Sequence, residues 1–180
     1  MANLSLPAAI AISIALLVGA WLVYDALWSS PLASRPVLAA WVSFALVVAA
    51  CFGLTHLFSG RAAFVHLGAM MGTITSANVW RRIVPAQSQN ARRHPRRHDS
   101  STRALGARAK QRSTHNHYMT LPVVITMLSN HFPSTYGSPW NGLVLVLLVV
   151  LGAAAKHVMS ARARSNRLVV LAGAPPRWWR

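Results

Sequence analysis

Acidic residues are almost absent from this chain of 180 residues. Asp25 and Asp99 are the only two, against eighteen lysines and arginines, and charged residues make up 11% of the sequence. Because a soluble domain carries about 25% charged residues, this composition argues against a soluble protein. Hydrophobic residues make up 54% and fall in long runs, so the sequence predicts an all-α integral membrane helix bundle.

Cysteine is also scarce. Cys51 is the only cysteine, which excludes an internal disulfide bond and a CxxCH haem-attachment motif. Because Cys51 lies within an apolar run, we expect it to be a small packing residue of the bundle.

Five apolar segments predict about five transmembrane segments in a single domain, residues 1–180. The first lacks the basic flank and cleavage site of a signal peptide, so we expect it to be retained. Pro85 is predicted to end the third helix, and Pro122 lies in the first turn of the fourth segment or at a kink. That segment is short, so it either begins earlier, near His115, or is re-entrant. The predicted spans are residues 6–28, 37–58, 62–84, 113–133 and 140–159, with a basic loop at 85–112 and a basic tail at 160–180.

Small residues recur in the third span. Gly68, Gly72 and Ser76 follow one another at intervals of four, a face that lets a neighbouring helix approach closely. Asp25, near the end of the first span, is interpreted as an interfacial residue that pairs with Arg35, the alternative being a proton-carrying or ligand group.

Positive charge is concentrated in two segments. Ten of the eighteen lysines and arginines lie between Arg81 and Arg112, and six more between Lys156 and Arg180. Since basic segments beside apolar spans stay in the cytoplasm, we predict an inner-membrane protein of a bacterium with its N-terminus outside and its C-terminus in the cytoplasm. Residues 86–112 should attract anionic membrane lipids or an acidic partner surface, whereas charge distributed in this way does not indicate nucleic-acid binding.

This topology sorts the histidines into two layers. His56, His66 and His131 are predicted to lie near the external face, where two histidines on neighbouring helices could hold a b-type haem or a metal. The alternative is that they are interfacial histidines bonded to backbone or water. No spacing here is specific for a metal, so the cofactor is left unknown. His66 and His131 are predicted to approach one another.

The second layer is predicted near the cytoplasmic face. Beside so much positive charge it could bind an anionic planar substrate, or its members could be helix-end residues that meet lipid headgroups. The members are Asn78, His115, Asn116, His117, Tyr118 and His157.

Two stretches resemble a known family. RSTHNHYMTLPVVITMLSNHFP, residues 112–133, and HLGAMMGTITSANVWRRIVPAQ, residues 66–87, are similar to blocks of the bacterial membrane-bound urate oxidases, the PuuD-type urate hydroxylases. The resemblance implies a membrane domain that oxidises urate and passes electrons to a C-terminal cytochrome c domain, which this sequence does not show. His117 stands where the family has a second asparagine. The functional residues it implies are His66, Asn78, Gln87, His115, Asn116, Tyr118, Asn130 and His131.

Two functions follow from this comparison. The sequence favours a small accessory subunit of a larger membrane redox complex, because the electron-accepting domain is not seen. The alternative is a catalytic membrane domain that oxidises urate or a similar purine and passes electrons to a separate cytochrome. A small transporter finds no support, because neither an inverted repeat nor paired broken helices are evident.

Overall fold

The computed structural model describes residues 5–92 and 100–171, and within these ranges the chain is helical and contains no strand. In chain order the helices are α1 (Leu6–Ser29), α2 (Pro36–Leu57), α3 (Gly60–Asn78), α4 (Val84–Arg92), α5 (Ser100–Leu128), α6 (Pro133–Tyr136) and α7 (Asn141–Leu171). A π-turn joins α3 to α4, and 3-10 turns precede α2 and follow α5. The prediction of an all-α protein is confirmed.

Within the described residues, three helices are long and apolar enough to cross a membrane: α1, α2 and the segment Asn141–Ala163 of α7. These segments have 22 to 24 residues, which at 1.5 Å of rise per residue cover a hydrocarbon core of about 30 Å. The prediction of a membrane helix bundle is therefore confirmed. The helices α3 and α5 follow in the predicted order but are more polar, and their crossing of the membrane stays a prediction.

The helix α3 lies at the centre of the bundle, where it packs against α1, α2 and α5, while α7 packs against α2 and α5. The helices α3 and α5 run antiparallel: Arg61 at the start of α3 bonds to Asn130 after α5, and Asn78 at the end of α3 bonds to Asn116. Cys51 is fully buried among apolar side chains, which confirms its packing role. The core includes Cys51, Leu54, Phe64, Leu67, Met71 and Leu145.

Pro85 does not end the third helix, so that prediction is wrong. The chain passes through a π-turn at Val79–Ile83, in which the N–H of Val84 bonds to the carbonyl of Val79, and continues as α4 to Arg92. Pro85 is the second residue of α4, a first-turn position where a missing N–H is tolerated. A π-turn carries one residue more than an α-turn and so rotates the following side chains by about 100°.

The prediction of a basic loop at 85–112 is also wrong over the described residues, because α4 and the first turns of α5 occupy it. Leu105, Ala109 and Arg112 follow one another at helical spacing and line one surface of α5. Because the buried residues are an alanine and an arginine, the sequence shows no hydrophobic periodicity here. The helix is instead stabilised by contacts with α4 and α1. Likewise α7 runs into the predicted tail as far as Leu171. Residues 93–99 and 172–180 of these predictions lie outside the described residues.

Of the two glycines predicted to allow close helix contacts, Gly68 does so and Gly72 does not. A Cβ added at Gly68 would lie 2.8 Å from Cγ of Met127, so Gly68 does allow α5 to approach, but nothing lies within 4 Å at Gly72. The predicted contact of Gly72 is therefore wrong. A close crossing also joins α5 to α7, where a Cβ at Gly152 would lie 2.7 Å from the backbone nitrogen of Pro122. Pro122 lies well inside α5 rather than in its first turn.

Site-directed labelling tests whether α5 crosses the membrane. Ser88 in α4 and Ser134 in α6 are exposed and lie on either side of α5. In a Cys51→Ala background, Ser88→Cys should react with a membrane-impermeant thiol reagent from the cytoplasmic face and Ser134→Cys from the external face, because basic segments resist translocation. The parent without cysteine controls for background. Labelling of both positions from the same face would contradict a spanning α5 and support a re-entrant one.

Candidate functional site

A single carboxylate joins α1, α5 and the π-turn after α3 at one end of the bundle, which we call the basic end and define by Asp25, Arg82 and Arg112. Nε of Arg82 donates to Oδ1 of Asp25 at 2.9 Å, and Nη2 of the same guanidinium contacts the other carboxylate oxygen. Nη2 of Arg112 lies 3.1 Å from Oδ1. The side chains of Asp25 and Arg112 are 13% and 6% exposed. The predicted pairing of Asp25 with the exposed Arg35 is wrong, because tertiary packing supplies two closer partners.

His115 lies in an aromatic pocket of α1. A hydrogen bond of 2.7 Å joins the hydroxyl of Tyr24 to Nδ1 of His115, and the ring of Trp28 lies 4.1 Å from the imidazole centroid. Tyr24 and Trp28 share one face of α1 because they are four residues apart. The guanidinium of Arg112 stands 4.9 Å from the centroid of Tyr24, within reach of a cation–π contact. His115 is thereby fixed to α1.

An asparagine pair joins α3 to α5. The amide of Asn78 donates to Oδ1 of Asn116 at 3.0 Å, and the amide of Asn116 donates to the carbonyl of Thr75 at 2.9 Å. Asn78 is fully buried, and its Oδ1 has no hydrogen-bond partner. A buried carbonyl oxygen without a donor is costly, so this oxygen is an acceptor to which a ligand N–H could bind.

Two further pairs join α5 to α7. Nε2 of His117 lies 2.8 Å from the hydroxyl of Ser160, and the hydroxyl of Tyr118 lies 2.9 Å from Nδ1 of His157. His115 and His117 therefore contact opposite neighbours, as expected for side chains two residues, or about 200°, apart on a helix.

The six polar residues predicted for the cytoplasmic layer do meet at one end of the bundle, and we call them the polar layer. They are not directed into one pocket. Each is paired with a side chain or backbone group of a neighbouring helix, and the layer surrounds α5 on the sides of α1, α3 and α7. The members are Asn78, His115, Asn116, His117, Tyr118 and His157.

Two adjoining hollows lie beside this layer, on the surface between α5 and the α3–α4 segment. One has a volume of about 450 Å³ and is lined by Gln87, Lys110 and His117, among others. The other, of about 420 Å³, is lined by Asn116 and His117, among others. Both include Ser113, so we treat them as one side groove. Three of the predicted substrate residues, Gln87, Asn116 and His117, thus line a common surface.

The predicted external histidines do not form a common site among the described residues. His56 is exposed at the end of α2, and His131 is exposed in the 3-10 turn after α5. The ring of His66 packs on Phe58 at 5.1 Å. Its position on α3 is about 200° from Gly68, which faces α5, so His66 faces away from α5 and from His131.

The fit to a haem or metal is therefore partial. Nε2 of His66 is buried without a hydrogen-bond partner, which suits a single axial ligand. Neither His56 nor His131 makes a ring contact or hydrogen bond with it, and the described histidines, cysteine and acids contain no group of three placed to hold a metal ion. A bis-histidine haem does not fit this arrangement, and the role of these histidines as ligands stays a prediction.

Sequence reasoning missed the contribution of α1. Tyr24, Asp25 and Trp28 all reach the site from its last turns, although the helix otherwise reads as an apolar span. The spacing of Tyr24 and Trp28 could have indicated this contribution, because it places them on one face of α1, next to the one acidic residue of the predicted spans. In the sequence, Arg82 and Arg112 are read only as charges that set the membrane topology. In the structure both form ion pairs with the carboxylate of Asp25.

Comparison with known protein families gives a match over most of the chain. The family described as urate oxidase N-terminal matches residues 1–175. No curated protein and no solved structure matches the chain. The match spans both stretches on which the resemblance to urate oxidases is based, and it also includes α1, α2 and all of α7, so it concerns the whole bundle. The chain belongs to the urate oxidase N-terminal family.

Proposed function

We propose that this urate-oxidase-like chain is an accessory membrane subunit of a larger redox complex, in which another subunit carries electrons. The observation that carries the proposal is the pairing within the polar layer. Tyr24 with His115, Asn78 with Asn116, and Tyr118 with His157 each join two different helices. Groups that hydrogen-bond one another across helix boundaries hold a bundle together, and a catalytic site would instead need several of them directed at a substrate.

The surface of α1 supports the same proposal. Ile10, Ile14, Val18 and Leu22 recur every four residues and are each more than half exposed. This apolar stripe is available to lipid or to helices of another subunit. The chain by itself buries little of α1, which suits a helix at the boundary of a larger assembly.

A specific observation favours a second candidate, a catalytic or substrate-binding domain for urate or a similar purine. The side groove carries Gln87, Asn116 and His117, and the buried Oδ1 of Asn78 nearby lacks a donor. Pockets of small molecules commonly have volumes of about 300–1,000 Å³. A planar purine could therefore bind along this groove with its N–H groups directed at amide oxygens.

Co-purification and one substitution distinguish the two. The accessory proposal expects the tagged chain, extracted from its native membranes in mild detergent, to co-purify with a haem-carrying subunit. Gln87→Ala should leave urate oxidation by that complex unchanged, because Gln87 is exposed and takes no part in the polar layer. Ser88→Ala, at the exposed neighbouring position, is the matched control. A rise in KM for urate in Gln87→Ala but not in Ser88→Ala would favour the substrate-binding alternative.

A further inference from the structure

A second cavity lies at the basic end, next to the side groove, with which it shares Ala109, and its chemistry is not used by the proposed function. It has a volume of about 750 Å³ and lies between the end of α1, the 3-10 turn Pro31–Ser34, α4 and the first turns of α5. We call it the arginine groove, because four arginines line it: Arg81, Arg82, Arg108 and Arg112.

Its charge is not balanced by the described side chains. Asp25 is the one described carboxylate at this end, and it binds both Arg82 and Arg112. One carboxylate beside four guanidinium groups leaves a local excess of about three positive charges. Such a concentration of like charge is unfavourable unless an anion compensates it.

Arg112 gives the groove a feature that a merely solvated basic surface would lack. Its side chain is 6% exposed, and Nη2 is occupied by Asp25 and by the hydroxyl of Ser29. Nη1 of the same guanidinium is buried and has no hydrogen-bond partner. An unpaired donor on a buried charged group is strongly unfavourable, and an anionic oxygen entering the groove would supply the missing acceptor.

The positions of Arg81 and Arg82 are also fixed by packing. The guanidinium of Arg81 stands 5.8 Å from the centroid of Trp21, and that of Arg82 is held by both oxygens of Asp25. The π-turn at Val79–Ile83 lets these consecutive residues both reach α1. Trp28, which borders the groove, is held by a bond from its Nε1 to Ser43. Guanidinium groups held in place match the geometry of phosphate oxygens.

We propose that the arginine groove is a binding site for a phosphate group, carried by an anionic phospholipid headgroup or by a free phosphate. The groove lies at the end of the apolar spans, which is the depth of lipid headgroups, and the ligand phosphate bonds to Arg112 from the groove while Arg81 and Arg108 neutralise its charge. This site does not rest on the proposed function.

The test measures binding of two probes by the full chain in a neutral detergent. Native mass spectrometry counts phosphatidylglycerol molecules bound, with diacylglycerol as the lipid that lacks a phosphate, and inorganic phosphate is titrated while thermal melting is followed. Arg108→Gln should weaken binding of the probe about tenfold, because it removes one of the two cations that neutralise the charge of the phosphate. Lys110→Gln removes a charge from the same helix but lies outside the groove, and it should bind within twofold of the wild type.

The two probes distinguish the sources of the phosphate. If phosphatidylglycerol adducts are lost in Arg108→Gln and inorganic phosphate has no effect on melting, the ligand is a lipid headgroup. If only inorganic phosphate stabilises the protein, the ligand is a free phosphate. Because Arg108 is exposed, the melting temperature of Arg108→Gln without ligand should equal that of the wild type. This comparison separates lost binding from lost folding. Equal losses in Arg108→Gln and Lys110→Gln would show diffuse attraction to a basic surface and overturn the site, as would binding of neither probe or equal binding of diacylglycerol.

Discussion

Asp25→Asn should lower the free energy of unfolding by about 3–5 kcal/mol, the cost of removing one partner from a buried ion pair. The substitution keeps the size of the side chain and removes its charge. Arg112, whose side chain is 6% exposed, then remains inside the bundle without a carboxylate. Arg82 is 44% exposed and can turn to water, so the cost falls on Arg112. The measurement is unfolding of the detergent-solubilised protein by titration with dodecyl sulfate, followed by circular dichroism.

Arg35→Gln is the matched control for this prediction. Arg35 is the basic residue nearest to Asp25 along the chain after α1, but it is exposed and makes no ion pair among the described residues. Its substitution should change the free energy of unfolding by no more than about 0.5 kcal/mol. An Asp25→Asn variant as stable as the wild type, or an equal loss in Arg35→Gln, would show that the carboxylate does not hold α1, α5 and the π-turn together.

Gly152→Ala should destabilise the protein by about 1–3 kcal/mol, the usual cost of overpacking. The new methyl group would lie 2.7 Å from the backbone nitrogen of Pro122 and 2.9 Å from its Cα. A flexible side chain could move aside, but here the obstacle is the backbone of α5, so α5 and α7 must separate. Pro122 itself contributes to the crossing, because the absent N–H leaves no donor that the contact would bury.

Gly72→Ala provides a control with the opposite expected sign. Nothing lies within 4 Å of a Cβ built at Gly72, and alanine favours a helix over glycine by up to about 1 kcal/mol. This variant should melt at or slightly above the temperature of the wild type, and Gly152→Ala well below it. Equal melting temperatures for the two alanine variants would contradict the close crossing of α5 and α7.

The course of the chain could be predicted from its apolar runs. Long stretches without charge must form helices in a membrane, because every backbone donor and acceptor needs an internal partner there. Helix ends were harder to predict. Pro85 indicated a stop, yet the π-turn before it carries the helix onward, and the start of α5 is stabilised by contacts of Ala109 and Arg112 that local hydrophobicity does not reveal.

The depth of the candidate-site residues in the bundle could be predicted from the sequence, but the neighbouring helix that each residue faces could not. Alternating helices bring Asn78, Asn116 and His157 to one end whatever their rotation, and the structure places them there. Which neighbour each residue contacts depends on the rotation of α5 about its axis, so His115 could not be assigned to Tyr24 or His117 to Ser160 in advance. The same limitation applies to Gly72 and to the proposed approach of His66 and His131.

The central claim is that this chain serves a redox complex through its packing and does not oxidise urate by itself. The direct measurement is urate consumption, followed by absorbance, with ferricytochrome c as the electron acceptor. The purified chain alone and the complex that it co-purifies with are compared at equal chain concentration. The account predicts consumption by the complex and none by the chain alone. Urate consumption by the isolated chain, abolished by Gln87→Ala but not by Ser88→Ala, would contradict it.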